Sequence, residues 1–150
     1  DAAESAEEVA GVLAHEIGHV EARDPVRLAF RSAGSAGIIA LVLGDVTGGT
    51  VVGLLGEHIL SASYTLEAEA AADVFAYDLL ARTGVGTEGL AAFFDRIEGM
   101  GGDVPEILST HPASGNRAEA ARAAGGAAGG MAERPVLTGA EWDALRSICG

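Results

Sequence analysis

Basic side chains are scarce in this chain. It has 9 Lys and Arg residues against 22 Asp and Glu residues, which gives a formal net charge of -13 over 150 residues. Nucleic-acid-binding proteins need a Lys- and Arg-rich surface to meet the phosphates, and docking on anionic lipid requires similar charge. The composition therefore excludes nucleic acid as an expected partner and argues against an anionic membrane surface. The acidity indicates a soluble, self-repelling surface.

Cysteine and aromatic residues are also rare. The one cysteine, Cys149, cannot form an internal disulfide, so it says nothing about the redox compartment. Aromatic residues make up 5% of the chain and hydrophobic residues 49%, so the core must be built from small aliphatic side chains. Alanine favours helix, whereas β-branched and aromatic residues are too few for an extensive sheet. We expect one mainly α domain over residues 1–150, with little or no β-sheet.

Apolar spacing, caps and helix breakers divide the chain into helices. Residues 26–60 are apolar and glycine-rich, and neither hydrophobic piece within them reaches the ~20 residues of a membrane span. We expect these pieces to form a buried helical hairpin around a polar turn. Membrane association is a second interpretation, since relatives with membrane spans can use such a stretch near a bilayer. The predicted helices are 3–22, 63–82, 87–98, 114–124 and 141–149, and the hairpin pieces are 38–43 and 51–55, around the turn 45–49.

The string HEIGH at residues 15–19 lies inside the first predicted helix. Side chains four residues apart share a helix face, so the imidazoles of His15 and His19 can both reach one zinc ion. Glu16 lies between them, where it can take a proton from a water that zinc acidifies to a pKa of about 7. Apolar neighbours such as Val20 indicate a partly buried face, where two histidines without a partner would be unfavourable. The pattern predicts a catalytic site for one zinc ion per chain.

A catalytic zinc site needs a third protein ligand and an open fourth position. The metzincin continuation is excluded, because Ala22 and Pro25 stand where its Gly and His would be. Glu69 fits the other known pattern, since Asp73 follows four residues later on the same helix face and can orient a ligand histidine through its ring N–H. Glu67 is the rival ligand, although an alanine follows it at that spacing. The alanines around Glu69 suit two helices that approach closely around a small site.

The remaining signals are weaker when taken from the residues alone. His111 precedes Pro112 in a predicted loop with Arg117 nearby, and a His-Pro loop is more often a turn than a site. His58 is interpreted as a structural or surface residue. The glycines form no phosphate-binding fingerprint, and no G-x-S-x-G serine-nucleophile motif occurs.

Three strings in series resemble metallopeptidase family 48, a family of gluzincins that includes the CAAX prenyl protease type. The strings are HEIGHVEARDPVR, YTLEAEAAAD and LSTHPASGNRAEAAR. The closing TGAEWDALRSIC is similar to the tail of some bacterial soluble-type members. The likeness covers nearly the whole chain, and the three motifs together are much more specific than any one alone. It implies a zincin-like catalytic core.

The resemblance also implies roles for individual side chains and for the protein. The implied activity is zinc-dependent endopeptidase cleavage of polypeptide substrates, in protein quality control at the bacterial cell envelope, either in the periplasm or at the membrane. His111 and Arg117 match the family's His-Pro loop near the active site, and His111 would either stabilise the oxyanion or cap the zinc in a resting state. The implied zinc ligands are His15, His19 and Glu69, with Glu16 as base and proton shuttle and Asp73 oriented on a ligand histidine.

Two departures from the family pattern qualify this expectation. Thr65-Leu66 occupies the positions where the family often has Ser-Arg. Gluzincins also usually place a β-sheet before the H-E-x-x-H helix, with an edge strand that holds the substrate, whereas the residues before His15 are predicted helical. We therefore expect a catalytic-domain fragment that lacks upstream family elements and cleaves poorly. The alternatives are a non-catalytic zinc scaffold or chaperone-like module, and a membrane-embedded protease. Oligomeric state is not predicted.

Overall fold

The computed structural model describes residues 3–43, 50–100, 111, 116–127 and 134–148, and the side chains within them apart from 36, 39–64 and 127. Helices are the regular elements of these ranges, and no strand occurs in them. The prediction of a mainly α fold is therefore confirmed. The helices are α1 (Ala6–Ala22), α2 (Asp24–Leu43), α3 (Thr50–Thr83), α4 (Glu88–Met100), α5 (Arg117–Ala127) and α6 (Gly139–Ser147).

Helix α1 has well-defined ends that follow from its sequence. Ser5 is the N-cap, and its hydroxyl accepts a 3.1 Å hydrogen bond from the backbone N–H of Glu8. Arg23 ends the helix in the left-handed conformation, at φ 57°, and its N–H donates to the carbonyls of His19 and Val20. The predicted C-terminal end at Ala22 is therefore correct, and the helix begins three residues later than expected because Ser5 caps it.

Helices α2 and α3 pack against each other, and α3 corrects one expectation. The predicted start of a helix at residue 63 is wrong, because α3 runs without a break from Thr50 and no proline interrupts it. In the hairpin pieces 38–43 and 51–55, all side chains except that of Ile38 lie outside the described residues. Ile38 is 65% exposed and is not buried as expected, and Phe30, earlier on α2, is 76% exposed. None of the helices within the described ranges is long and apolar enough to cross a membrane.

The shorter helices match their predicted positions within a few residues. Helix α4 covers the predicted segment and extends to Met100, and α5 begins at Arg117. Helix α6 begins with a capping box, in which Thr138 and Glu141 exchange side-chain-to-backbone hydrogen bonds. The polar turn 45–49, most of the loop after residue 98, Pro112 and Cys149 lie outside the described residues, as does the side chain of His58.

Small residues let α1 approach its neighbours closely, as the composition predicted. An added Cβ on Gly18 would lie 2.9 Å from the Cα of Ala72 on α3. The same addition on Gly11 would lie 2.7 Å from the Cβ of Leu90 on α4. Helix α1 therefore packs closely against both α3 and α4. The core around this contact contains Ala14, Ala76, Leu80 and Leu90.

Polar contacts fix α4 in this arrangement. The guanidinium of Arg96 on α4 donates to both carboxylate oxygens of the buried Glu8 on α1. At the other end of α4, the hydroxyl of the buried Thr87 donates to the carbonyl of Ala121 on α5. Helix α4 thereby joins α1 to α5, which carries Arg117.

Candidate metal centre

Four potential metal ligands converge where α1 faces α3. His15 and His19 lie one turn apart on α1, and their Nε2 atoms are 3.1 Å from each other. Glu69 on α3 places Oε2 3.3 Å from His15 Nε2 and Oε1 3.2 Å from His19 Nε2. His111 approaches from another part of the chain, with Nδ1 2.7 Å from Glu69 Oε1. One ligand atom from each of the four lies within 4.8 Å of all the others.

The Nδ1 atom of each α1 histidine, the outer nitrogen of the ring, faces a carboxylate. His15 Nδ1 is 2.9 Å from Oδ1 of Asp73, and His19 Nδ1 is 2.9 Å from Oδ2 of Asp24. An ionised carboxylate only accepts hydrogen bonds, so each Nδ1 carries the proton and each neutral ring has its lone pair on Nε2. The two Nε2 lone pairs then point toward each other and toward Glu69. This is the tautomer that metal-binding histidines adopt when a carboxylate orients them.

The converging lone pairs favour a cation. Two neutral imidazole nitrogens at 3.1 Å repel each other, and the buried Oε2 of Glu69 makes no hydrogen bond of good geometry, although Arg117 Nη1 and His15 Nε2 lie within 3.3 Å of it. A metal ion would remove both unfavourable features, and in the metal-free protein a proton on His15 Nε2 can serve Glu69 instead. Imidazole nitrogens with one carboxylate match the donor set of catalytic zinc sites. The residues present therefore fit a zinc ion.

Arg117 balances the negative charge behind the ligands. It is buried at the start of α5, and its Nε and Nη2 donate to the two oxygens of Asp73 at 2.8 and 2.7 Å. Its Nη1 lies 3.2 Å from Oε2 of Glu69, and its guanidinium carbon lies 4.2 Å from the ring centroid of Phe94. A planar guanidinium can make this two-bond contact and stack at the same time, whereas a lysine cannot.

These contacts shift the ionisation of the buried groups in the metal-free protein. Burial raises the pKa of Asp73, but hydrogen bonds from His15 and Arg117 outweigh it, so the pKa of Asp73 is lowered overall. Burial likewise raises the pKa of Glu69, and hydrogen bonds from His111 and His15 reverse the effect and lower it well below its usual range. Burial lowers the pKa of His15, but hydrogen bonds to Asp73 and Glu69 raise it overall. Both carboxylates therefore stay ionised and keep their charge available to a cation.

Glu16 lies at the solvent-facing edge of the ligand cluster. Its side chain is 49% exposed, and Oε1 is 3.5 Å from His111 Nε2. His111 thus bridges Glu16 and Glu69, the predicted base and the predicted third ligand. A carboxylate at this position can reach a water or a substrate amine that approaches the ligands.

Glu16 and His111 line two pockets. One is a narrow cavity of about 40 Å³ with mainly apolar walls from α1 and α4. The other, of about 300 Å³, lies between the start of α2 and α3. Glu16 and His111 belong to the lining of both pockets, so each pocket borders the ligand cluster. Side chains lining the first include Val12, Leu90, Phe93, Phe94 and Ile97.

The structure brings together all seven side chains that the sequence singled out for the site. Glu67, the rival ligand, points to solvent and does not belong to the ligand cluster. Sequence reasoning missed Asp24, which lies beside Pro25 just after the predicted end of the first helix. The available signal was an acidic residue five positions after the second histidine, just beyond the turn at Arg23. Arg117 was found through the family resemblance alone, since no helical period connects it to Asp73.

Similarity to known proteins agrees with this geometry. The family model described as Peptidase family M48 matches residues 1–124. Metalloprotease YcaL of Escherichia coli (strain K12) is 32% identical over 120 residues, which cover 75% of this chain and 46% of YcaL. Metalloprotease LoiP of the same strain is 31% identical over 125 residues, which cover 75% of this chain and 47% of LoiP.

The chain's matches are to sequences and cover only part of these relatives. No solved structure matches the chain significantly. The chain spans about half the length of the curated relatives it matches. The family model nevertheless includes every residue of the ligand cluster and its carboxylate partners, and the chain belongs to peptidase family M48.

Proposed function

We propose that this chain is the catalytic core of a zinc-dependent metalloendopeptidase of the gluzincin type. The observation that supports this most directly is the arrangement of His15, His19 and Glu69. Their donor atoms lie 3.1 to 3.3 Å apart, and the outer nitrogens of both histidines are engaged by carboxylates. Glu16 lies beside them at the edge open to solvent. These features are the parts that a zinc peptidase site needs.

Each side chain has a distinct task in this proposal. A bound zinc ion would polarise the scissile carbonyl and acidify the attacking water. Glu16 accepts the proton of that water and donates it to the leaving amine. Asp73 holds His15 in the tautomer that presents Nε2, and Arg117 holds Asp73. His111 lies across the cluster against Glu69, which supports its role as a cap of the metal site in a resting state.

The substrate in this proposal is a polypeptide. The narrow pocket beside Glu16 would accept a small apolar side chain next to the scissile bond, since aliphatic and aromatic side chains form most of its wall. The formal charge of -13 disfavours acidic substrates by repulsion. A single domain over residues 1–150 and a place in bacterial envelope quality control, in the periplasm or in contact with a membrane, are proposed from the family resemblance.

The first test is the metal content of the purified chain. We expect close to one zinc per chain in the wild type after purification without added metal, measured by mass spectrometry of the element. Glu69→Ala should lose most of it, because two neutral histidines remain as the strong ligands. Glu67→Ala is the matched control, since it removes an exposed carboxylate two residues away and should retain zinc. Equal zinc in both variants would place the third ligand elsewhere.

The second test separates a peptidase from a zinc scaffold. The scaffold alternative gains support from the absence of strands in the described residues. Glu16→Gln should keep its zinc and lower the turnover of an unfolded protein substrate by about 10²- to 10⁴-fold, the usual contribution of a general base. If the wild type binds zinc and unfolded protein but cleaves nothing, the scaffold alternative is correct.

A further inference from the structure

Asp24 contacts the second histidine of the H-E-x-x-H motif although it lies on a different helix. It begins α2, and its Oδ2 is 2.9 Å from Nδ1 of His19. Both groups are largely removed from water, since each side chain is 12% exposed. A buried histidine and carboxylate at this distance form a strong, directional hydrogen bond.

The backbone between the two residues is shaped for this contact. Arg23 adopts φ 57° and caps α1 with its own N–H, so the chain turns back after one residue and α2 begins at once. Left-handed backbone is unfavourable at a residue with a side chain. The turn brings Asp24 over the last turn of α1, where His19 lies.

We infer that Asp24 is a positioning residue for the proposed metal site and acts through His19. It fixes the protonated Nδ1 of His19, so that the Nε2 lone pair points at the space shared with His15 Nε2 and Glu69 Oε1, at 3.1 and 3.2 Å. Asp73 does the same for His15 from α3. The two ligand histidines are thus oriented by carboxylates from two different helices. This inference rests on the proposed function, because it requires that a metal ion binds there.

A structural role in α2 is the competing explanation. Asp24 is the first residue of α2, and the carbonyl of Arg23 accepts the first hydrogen bond of that helix, from Arg27 N–H. A structural contribution of Asp24 would therefore come from its negative charge at the helix N-terminus, which serine and asparagine remove equally. The two roles therefore predict different outcomes for the same substitutions, because serine is too short to reach His19 and asparagine is long enough.

The experiment compares the Zn²⁺ affinity of the wild type, Asp24→Ser and Asp24→Asn by competition with a chromophoric chelator. Loss of a carboxylate that orients a ligand histidine usually weakens metal binding by 10- to 100-fold, and we expect this loss in Asp24→Ser. Asp24→Asn should fall between serine and the wild type, since an amide oxygen can still accept from Nδ1 without the charge. Glu21→Gln is the matched control, because it removes one exposed charge from the nearby end of α1.

A second measurement separates positioning from a purely structural role. The free energy of unfolding of each metal-free variant is determined in urea, where a purely structural role predicts equal losses of stability in Asp24→Ser and Asp24→Asn and equal zinc affinity in both. Zinc affinity of Asp24→Ser within twofold of the wild type would overturn the inference while leaving the metal site intact. A wild type that binds no zinc would overturn both the inference and the proposed function. If zinc affinity depends on Asp24 but the wild type cleaves no peptide, the inference stands and only the proposed peptidase activity is overturned.

Discussion

Arg117 is the buried cation of the site, and its environment shows how much depends on a single residue. It lies against Asp73 through two hydrogen bonds and against Glu69 at 3.2 Å. Helical periodicity alone could predict that His15 and His19 share a face and that Glu69 and Asp73 share another. The same periodicity could not predict Arg117 or Asp24, because a contact across 44 residues or around a reversed turn depends on tertiary packing.

Replacement of Arg117 by methionine should strongly destabilise the metal-free protein. Methionine preserves much of the packing against Phe94 but leaves the carboxylate of Asp73 buried without its cation, and a broken buried pair typically costs about 3–5 kcal/mol. The measurement is urea-induced unfolding followed by circular dichroism in the presence of a chelator.

The matched control for this prediction lies on the same helix. Arg122 forms an exposed ion pair with Asp95, and Arg122→Met should leave the free energy of unfolding almost unchanged. Similar losses in the two variants would mean that Arg117 contributes only as much as a surface charge.

Helix α1 as an element depends on close contact with α3. Its C-terminal end was predictable because Pro25 follows it, whereas the Ser5 cap sets a start three residues later than expected. The length of α3 was not predictable in this way, since the glycine-rich stretch before residue 63 suggested a break. Its glycines each weaken a helix by about 1 kcal/mol, which the rest of a 34-residue helix offsets. Local signals therefore predicted the helix that carries the metal-binding motif better than they predicted the N-terminal part of α3.

Gly18→Ala should disturb the metal site through the spacing of α1 and α3. The new Cβ would lie 2.9 Å from the Cα of Ala72, so the helices must separate near Glu69 and Asp73. We expect a loss of about 1–3 kcal/mol in the free energy of unfolding, as for other overpacked contacts, together with weaker zinc binding. Unfolding in urea and chelator competition measure the two effects.

The opposite change in the free energy of unfolding is expected when a glycine on α2 is replaced by alanine. An added Cβ on Gly34 meets nothing within 4 Å, so Gly34→Ala should stabilise the protein by about 0.5–1 kcal/mol through the helix propensity of alanine. Zinc affinity should stay unchanged in this control. If Gly18→Ala also stabilises the protein, the helices have room to spare and the close-packing argument is wrong.

At the scale of the whole molecule, an acidic chain concentrates part of its negative charge at the metal site. The formal net charge is -13, and the ligand cluster is surrounded by the carboxylates of Glu69, Asp73, Asp24 and Glu16. Composition predicted the helical class. It could not show that α2 exposes apolar side chains such as Phe30, because amino-acid content does not determine which elements find a packing partner.

The pH dependence of stability should differ between the metal-free and the zinc-bound protein. The pKa of His15 is raised in the metal-free fold, so its contribution is fully present below about pH 6.5 and is lost as pH rises through the folded-state pKa. The pKa values of Glu69 and Asp73 are lowered. Their contribution is present above about pH 4.5 and is lost as pH falls. Metal-free stability should therefore be greatest between about pH 4.5 and 6.5.

Zinc should reverse the upper half of this profile. Metal binding needs neutral imidazoles, so the stabilisation that zinc provides grows as pH rises above about 6.5, over the same range in which the metal-free protein becomes less stable. Urea unfolding from pH 4 to 9, with a chelator or with excess zinc, should give curves that diverge with increasing pH. Parallel curves above pH 6.5 would mean that zinc does not compete with protons on His15, and that the ion, if it binds, lies elsewhere in the molecule.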